Sequence, residues 1–244
     1  MTKRIDGRCF DEIRPVSITP GFMSFAEGSV LIEQGKTKVI CAVSVEEKVP
    51  PFLRGSGSGW ITAEYSMLPR ATLTRTSRDS VQGHIAGRSQ EIQRLIGRTL
   101  RSITDLSLLG ERTLMVDCDV IQADGGTRAA AITGSYVALY QALRNLARMG
   151  VIHSVPLRAA VAAISVGVVR GYVLLDLCYE EDSSAGSDFN IAMADSGDIV
   201  EVQASAEVRP FSRETLEQAI ALADKGIKKL FEIQHKAIAA IGHL

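Results

Sequence analysis

Four groups of residues in this 244-residue chain have types and spacings that could do chemistry. The first is Ile121-Gln122-Ala123-Asp124-Gly125-Gly126-Thr127-Arg128, where an apolar run ends in two glycines ahead of an Ala-rich stretch. Glycines let backbone N–H groups approach an anion closely. A helix starting at about Thr127 would aim its unpaired amides and the positive end of its dipole at the same spot. Thr127 can cap that helix or donate a hydroxyl, and Arg128 adds a planar fork. This is the composition of a phosphate cradle, and an ordinary strand-to-helix turn with a threonine cap would read the same way. It is not a Walker loop, because Gly-x4-Gly-Lys-Ser/Thr is absent.

The second is Arg88. If a helix begins near His84, Arg88 sits four residues before Ile92 and seven before Leu95, on the apolar stripe. A guanidinium buried there needs an anionic partner, either a structural carboxylate or a bound phosphate. The third is Asp182-Ser-Ser-Ala-Gly-Ser-Asp188, whose neck should bring two carboxylates together. Close carboxylates raise each other's pKa or hold a hard cation, and Mg2+ favours one or two carboxylates plus substrate phosphates. A solvated acidic turn is the plain alternative. The fourth is Arg70, Arg75 and Arg78, interleaved with Ser and Thr in a loop, residue types that contact phosphodiester backbones and equally decorate a solvated loop.

Charge is distributed unevenly although the net charge is −1. Arg54–Arg101 carries eight arginines against three acids (Glu64, Asp79, Glu91), and no lysine occurs between Lys48 and Lys225. Arginine forks take phosphate oxygens two at a time, so the stretch suits polyphosphate or nucleic acid, if it is not simply an arginine-rich surface. Asp176–Glu207 holds nine acids and no basic residue, which calls for counter-charge from the arginine segment or a divalent cation. Residues 46% hydrophobic and 23% charged exclude disordered, collagen-like and low-complexity classes. Cys9, Cys41, Cys118 and Cys178 form no CxxC pair, which argues against a disulfide framework or a cysteine zinc site and for a reducing cytoplasm. The longest uncharged apolar run, between Arg158 and Arg170, is too short to cross a bilayer, and Met1–Asp6 leads into no signal-peptide core, so no membrane is expected. His84, His153, His235 and His243 form no HExxH, no Gly-x-Ser-x-Gly elbow exists, and His235 and His243 are expected at the surface.

The elements that would position these groups follow from hydrophobic period. Residues 28–45 read as two strands around Gln34-Gly35, and 50–60 as a Pro/Gly/Ser loop. Residues 80–105 turn helical, with Ile85, Ile92, Leu95, Ile96, Leu100 and Ile103 on one stripe and Arg94, Arg98 and Arg101 on the other face. Residues 113–122 form a strand with Asp117 and Asp119 on one side, followed by a long helix to about Met149. Strands over 159–169 and 172–178, a hairpin of 189–194 with 199–205, and a helix over 213–240 complete the chain. The order predicts an α/β (α+β) protein, mixed sheets packed with helices. It is expected to be one domain with two pseudo-halves, 1–154 (basic, phosphate turn) and 155–244 (acidic pair, C-terminal helix), meeting at Val155-Pro156.

These residues carry a resemblance along almost the whole chain. Asp6-Gly7-Arg8, Arg14-Pro15, Glu27-Gly28-Ser29, Val49-Pro50-Pro51-Phe52, Gly59-Trp60-Ile61-Thr62-Ala63-Glu64-Tyr65-Ser66-Met67-Leu68-Pro69-Arg70, Gly87-Arg88, Glu91–Arg98, Asp117–Arg128 and Asp176-Leu177 resemble the bacterial ribonuclease PH family. The resemblance implies the ribosomal-protein-S5-domain-2-like fold. It also implies a phosphate-dependent 3′→5′ exoribonuclease that trims tRNA precursors and acts on other RNA 3′ ends, including rRNA, in the cytoplasm. Inorganic phosphate would be the co-substrate, a nucleoside diphosphate the product, and nucleotide addition the reverse reaction. Matched position by position, Arg88, Gly126, Thr127 and Arg128 would bind phosphate. Asp182 and Asp188 would be the catalytic pair and the Mg2+ ligands, and Arg70, Arg75 and Arg78 would contact tRNA. A homohexameric ring, a trimer of dimers, is implied, and no DNA partner. Ala204-Ser205, where the family commonly has Gly-Thr, Asp195 at a hairpin tip, and Gly186-Ser187 depart from the pattern. Two other classes compete. A non-catalytic RNA-binding ring subunit would lack the acidic pair or the phosphate turn. A small-molecule kinase would need Gly55-Ser56-Gly57-Ser58-Gly59 to lead into a helix.

Overall fold

Alternating β-branched residues in the first half pair into a five-stranded sheet in the computed structural model, which describes residues 4–78, 81 and 83–242. Its strands are β1 (Val16–Pro20), β2 (Gly28–Gln34), β3 (Thr37–Glu46), β4 (Trp60–Met67) and β5 (Thr113–Gln122), in the order β1-β2-β3-β5-β4. Neighbours are antiparallel except β4 and β5, which run parallel. A parallel pair requires a crossover, and the amphipathic helix α1 (Gly87–Ser102) makes it, packed on β4 through Ile92, Leu95, Ile96 and Leu100.

The long helix α2 (Thr127–Arg148) follows β5 directly and has 15 of its 22 residues buried. A helix apolar nearly all round must be enclosed. It lies between the first sheet and a second, all-antiparallel sheet, touching β2 and β3 on one side and β6 on the other. That second sheet holds β6 (Val161–Val169), β7 (Tyr172–Leu175), β8 (Ser187–Ala194) and β9 (Ile199–Ala206), in the order β7-β6-β8-β9. A single turn, α3 (Tyr179–Asp182), stands between β7 and β8. The last helix, α4 (Arg213–Ile241), starts at a Ser212 side-chain cap and packs on β6, β7 and β1. One continuous core runs through both sheets. The chain around Val155-Pro156 is pinned to the first half by Asp105 N–H to Pro156 O (2.8 Å) and Arg158 N–H to Ile103 O (2.8 Å).

Most expected elements are present, with three departures. The first is β1, an edge strand of alternating half-exposure ending in proline, a pattern too short and too polar to stand out. The second is that α1 begins at Gly87 and not near His84. Ala86, the N-cap, is extended (φ −58°, ψ 141°), a conformation that no right-handed helix can run through. Ile85 is therefore outside the stripe and 43% exposed. Arg88 falls in the first helical turn and is exposed, not buried. Third, β7 ends at Leu175, short of the expected 178. All four thiols are free, and Cys41 and Cys118, far apart in sequence, face each other across β3 and β5 with sulfurs 3.9 Å apart.

Phe189 of β8 is fully buried and packs edge-on against Phe211, just ahead of α4, at 4.8 Å. Phe189→Ala should lower stability by about 3–5 kcal/mol, read as a shift in the urea midpoint.

Candidate active site

β5 delivers the chain to the turn Asp124-Gly125-Gly126. Both glycines are left-handed (φ +75° and +66°), and a methyl group on Gly125 would stand 2.4 Å from the Leu177 carbonyl oxygen. Only glycine fits there. Gly126 is the N-cap of α2 and offers no side-chain cap, so the amides of the first turn stay open to a ligand. Arg128 Nη1 donates to Gln203 Oε1 on β9 (2.8 Å) and lies 3.5 Å from Glu91 Oε1 on α1, which aims its fork into a cavity of about 660 Å³.

That cavity is where the expected residues converge. Arg88, Gly126, Thr127 and Arg128 line one side, and Asp182 and Asp188 line another. Asp182 closes α3 and Asp188 is the second residue of β8, so the two carboxylates are brought together by a helical turn leading into a strand and not by the neck of an open loop. Burial above all, then the Asp188 charge, pushes the Asp182 carboxyl above its ordinary pKa, against the opposing pull of Arg88, Arg128 and Arg14. The two aspartates suit a hard divalent cation completed by substrate oxygens and water. Among the described residues, no group of three or more His, Cys, Asp or Glu side chains is placed to hold a metal by itself.

A buried ionic layer beneath the cavity escaped sequence reasoning. Asp176, fully buried at φ +54°, accepts from Arg14 N–H (2.7 Å), Nε (3.0 Å) and Nη2 (2.6 Å), and from Gln34 Nε2 (2.8 Å). Arg14 also donates to the carbonyl oxygens of Asp124 and Gly125. Arg4 forms a two-pronged pair with Glu181 (2.8 and 2.6 Å) and donates to Asp176 O (3.0 Å). Arg8 donates to that same oxygen (3.0 Å), and Tyr179 N–H reaches Asp124 Oδ1 (3.2 Å). The phosphate turn and the acidic turn are thus tied to one another through charge. The counter-charge for Asp176 and Glu181 comes from the first fourteen residues; of the acidic stretch, among the described residues, only Glu201 forms an ion pair with the arginine segment, through Arg98 (2.9 and 2.7 Å). The sequence signals for this layer were the matched motifs Asp6-Gly7-Arg8, Arg14-Pro15 and Asp176-Leu177.

Other expectations resolve differently. Arg70, Arg75 and Arg78 are exposed in residues 68–78 and stay outside the cavity. Arg70 Nη1 donates to Leu73 O (2.8 Å), and the Arg78 charge acts on Asp119, on the outer face of the first sheet. Gly55–Gly59 leads into strand β4, which removes the kinase reading. His84, His153 and His235 are exposed; His243 lies outside the described residues.

The comparisons with known proteins agree with this geometry. Residues 12–144 match domain 1 of the 3′ exoribonuclease family and residues 159–226 match its domain 2. A protein of Dehalococcoides mccartyi named ribonuclease PH is 61% identical over 95% of this chain and 96% of its own. This chain belongs to the ribonuclease PH family of 3′ exoribonucleases. It is a phosphorolytic RNA nucleotidyltransferase, a phosphate-dependent 3′→5′ exoribonuclease of tRNA 3′-end processing, like other ribonuclease PH enzymes. The fold recurs in the rice (Oryza sativa) Rrp46 crystal structure, with TM-score 0.79 and 22% identity over 96% of this chain and 100% of that one. It recurs again in the Archaeoglobus fulgidus exosome with RNA bound to the active site, with TM-score 0.81 and 25% identity over 95% of this chain and 92% of that one.

In this ribonuclease PH chain the Arg4 pair holds Glu181 below the ordinary carboxylate range despite burial. A depressed folded-state pKa contributes stability at neutral pH that is lost as pH falls below about 4.3 and on through the folded value. Arg4→Met leaves Glu181 buried with only the longer Arg8 contact (3.7 Å) and the Cys178 N–H bond, so that variant should be destabilised by about 2–4 kcal/mol at pH 7 and recover part of the deficit at pH 5, as urea midpoints at the two pH values would record.

Proposed function

We propose that the cavity binds inorganic phosphate between Arg88, Arg128 and the amide end of α2, with the Thr127 hydroxyl and the Gly126 turn beside it, next to the 3′ end of an RNA. A phosphate oxygen attacks the phosphorus of the terminal phosphodiester, the bond to the preceding ribose 3′ oxygen breaks, and a nucleoside diphosphate leaves. The observation that carries this reading is the meeting of two guanidinium groups, an uncapped helix start and two carboxylates in one cavity. Nucleophile and target are both anions, and fixed donors in a shaped site offset their repulsion without reorganisation. No covalent intermediate is needed, and the same site run backwards adds nucleotides.

The departing 3′ oxygen needs a proton or a cation. Without metal, Asp182, its pKa raised by burial and by Asp188, would keep a proton more readily than an ordinary aspartate and could hand it over. With Mg2+ present, Asp182 and Asp188 would instead be its ionised ligands, and the cation would neutralise the charge on the departing oxygen in place of the proton. Arg70, Arg75 and Arg78, exposed and away from the cavity, are free to hold the backbone of the tRNA body. Assembly as a homohexameric ring built from dimers is supported by apolar side chains left on the surface, Phe25 fully exposed and Phe22 and Met23 nearly half so. Among the described residues no helix is long and apolar enough to cross a membrane, and the reading includes a cytoplasmic location, tRNA and rRNA precursors as partners, and no DNA. Ser205, one of the departures from the family pattern, lines the cavity and retains a hydroxyl there; Asp195 is exposed at the hairpin tip.

A non-catalytic ring subunit is disfavoured by the presence of both the phosphate turn and the acidic pair in one cavity. The deciding experiment incubates 3′-extended tRNA with and without phosphate and identifies the released nucleotide. Arg128→Ala should abolish phosphate-dependent shortening while RNA binding persists. Asp182→Ala should lose turnover, on the order of 100-fold or more, with a smaller effect on phosphate affinity. Equal shortening without phosphate, releasing monophosphates, would make the enzyme a hydrolase.

A further inference from the structure

We propose that Tyr65 is a positioning residue of the phosphate site: by donating its proton to Thr127 Oγ1, it commits the Thr127 hydroxyl to donating into the cavity, onto an oxygen of the bound phosphate. The inference rests on the reading of the cavity as a phosphate site and deepens it.

Tyr65 stands on β4 with its side chain turned inward and is 2% exposed. Its hydroxyl lies 2.8 Å from Thr127 Oγ1, a bond that bridges the first sheet to the opening residue of α2. Of two hydroxyls in contact, the phenol is the stronger acid and the alcohol the better acceptor, which sets the direction of the bond. Burial pushes the Tyr65 pKa above its ordinary value, outweighing its bond to Thr127 and the nearby charges of Arg88 and Arg128, so the phenol keeps its proton at any working pH.

Thr127 then has one proton of its own to place. Among the described residues no protein group accepts it, and Thr127 lines the cavity. A threonine hydroxyl left to itself donates or accepts equally, and beside a helix start it readily turns onto local backbone. Tyr65 occupies one lone pair of Thr127 Oγ1 and so turns the Thr127 proton away from the phenol, towards the cavity. Arg88, Arg128, the open amides of α2 and Thr127 thus add a cluster of donors to the cavity that Asp182 and Asp188 also line. Such a cluster favours an oxygen that can only accept, as a phosphate oxyanion does, over a ligand that places a donor there.

The test measures KM for inorganic phosphate, kcat and phosphate-free RNA affinity for the full-length enzyme and for Tyr65→Phe, Thr127→Val and the double variant. Tyr65→Phe keeps the ring and its packing and loses one oxygen. The expected result is a KM for phosphate raised about 3- to 10-fold, the scale of one hydrogen bond, with kcat and RNA affinity nearly unchanged. Thr127→Val should raise KM at least as much, and the double variant no further than Thr127→Val alone, because Tyr65 acts only through Thr127. A normal KM in Tyr65→Phe beside an impaired Thr127→Val would overturn the inference and leave the phosphate site standing. Additive effects in the double variant would also overturn it, by making Tyr65 a packing residue. Normal KM values in both Thr127→Val and Arg128→Ala would instead remove the phosphate site itself.

Discussion

The buried carboxylate of Asp176 is the constraint on which the site depends. It lies where the two sheets meet below the cavity, and it accepts three donors from Arg14 and one from Gln34. A charge so deep is tolerable only if paired and fully hydrogen-bonded. Its principal partner, Arg14, reaches on to the carbonyl oxygens of Asp124 and Gly125, while Arg4 links the Asp176 backbone to Glu181, the residue before Asp182. The turn before α2 and the turn carrying Asp182 are therefore held together by ions that cannot be rearranged cheaply. Hydrophobic contact alone is non-directional and would not hold them in that way.

Above that layer the cavity separates opposite electrostatic tasks. One wall gathers donors: the start of α2, Thr127, Arg88 and Arg128. The other holds two carboxylates whose closeness and burial raise the Asp182 pKa. Arg128 is kept off the aspartates by other partners: Gln203 of β9 accepts from it, and Glu91 of α1 lies near it.

The outer surface has another character. Three arginines of residues 68–78 sit apart from the cavity, and several aromatic and aliphatic side chains face solvent. The chain thus gathers its ionisable cavity residues in one place and displays its basic loop and its exposed apolar side chains elsewhere.

Period and punctuation in the sequence made most elements readable: the Val/Ile alternation of β2, β3, β5 and β6, the apolar stripe of α1, the small apolar residues of α2 and the long amphipathic α4. The glycine pair before Thr127 was legible as a tight turn because left-handed backbone and close approach are written in residue type. Asp182 and Asp188 were legible as neighbours because only five residues separate them. Arg88 was expected on the buried stripe and is exposed, since α1 starts only after the extended Ala86. Which arginines answer which acids was not readable at all. Arg14 meets Asp176 across 162 positions and Arg4 meets Glu181 across 177, and charge carries no address along a chain. Tyr65 and Thr127 are likewise 62 residues apart, and their contact exists only because α2 is packed against the first sheet. Local residue types determined the elements and the kinds of chemistry available; the stacking of two sheets on one enclosed helix decided which distant side chains would share a cavity, because burial forces each polar group to find the partner that packing places within reach.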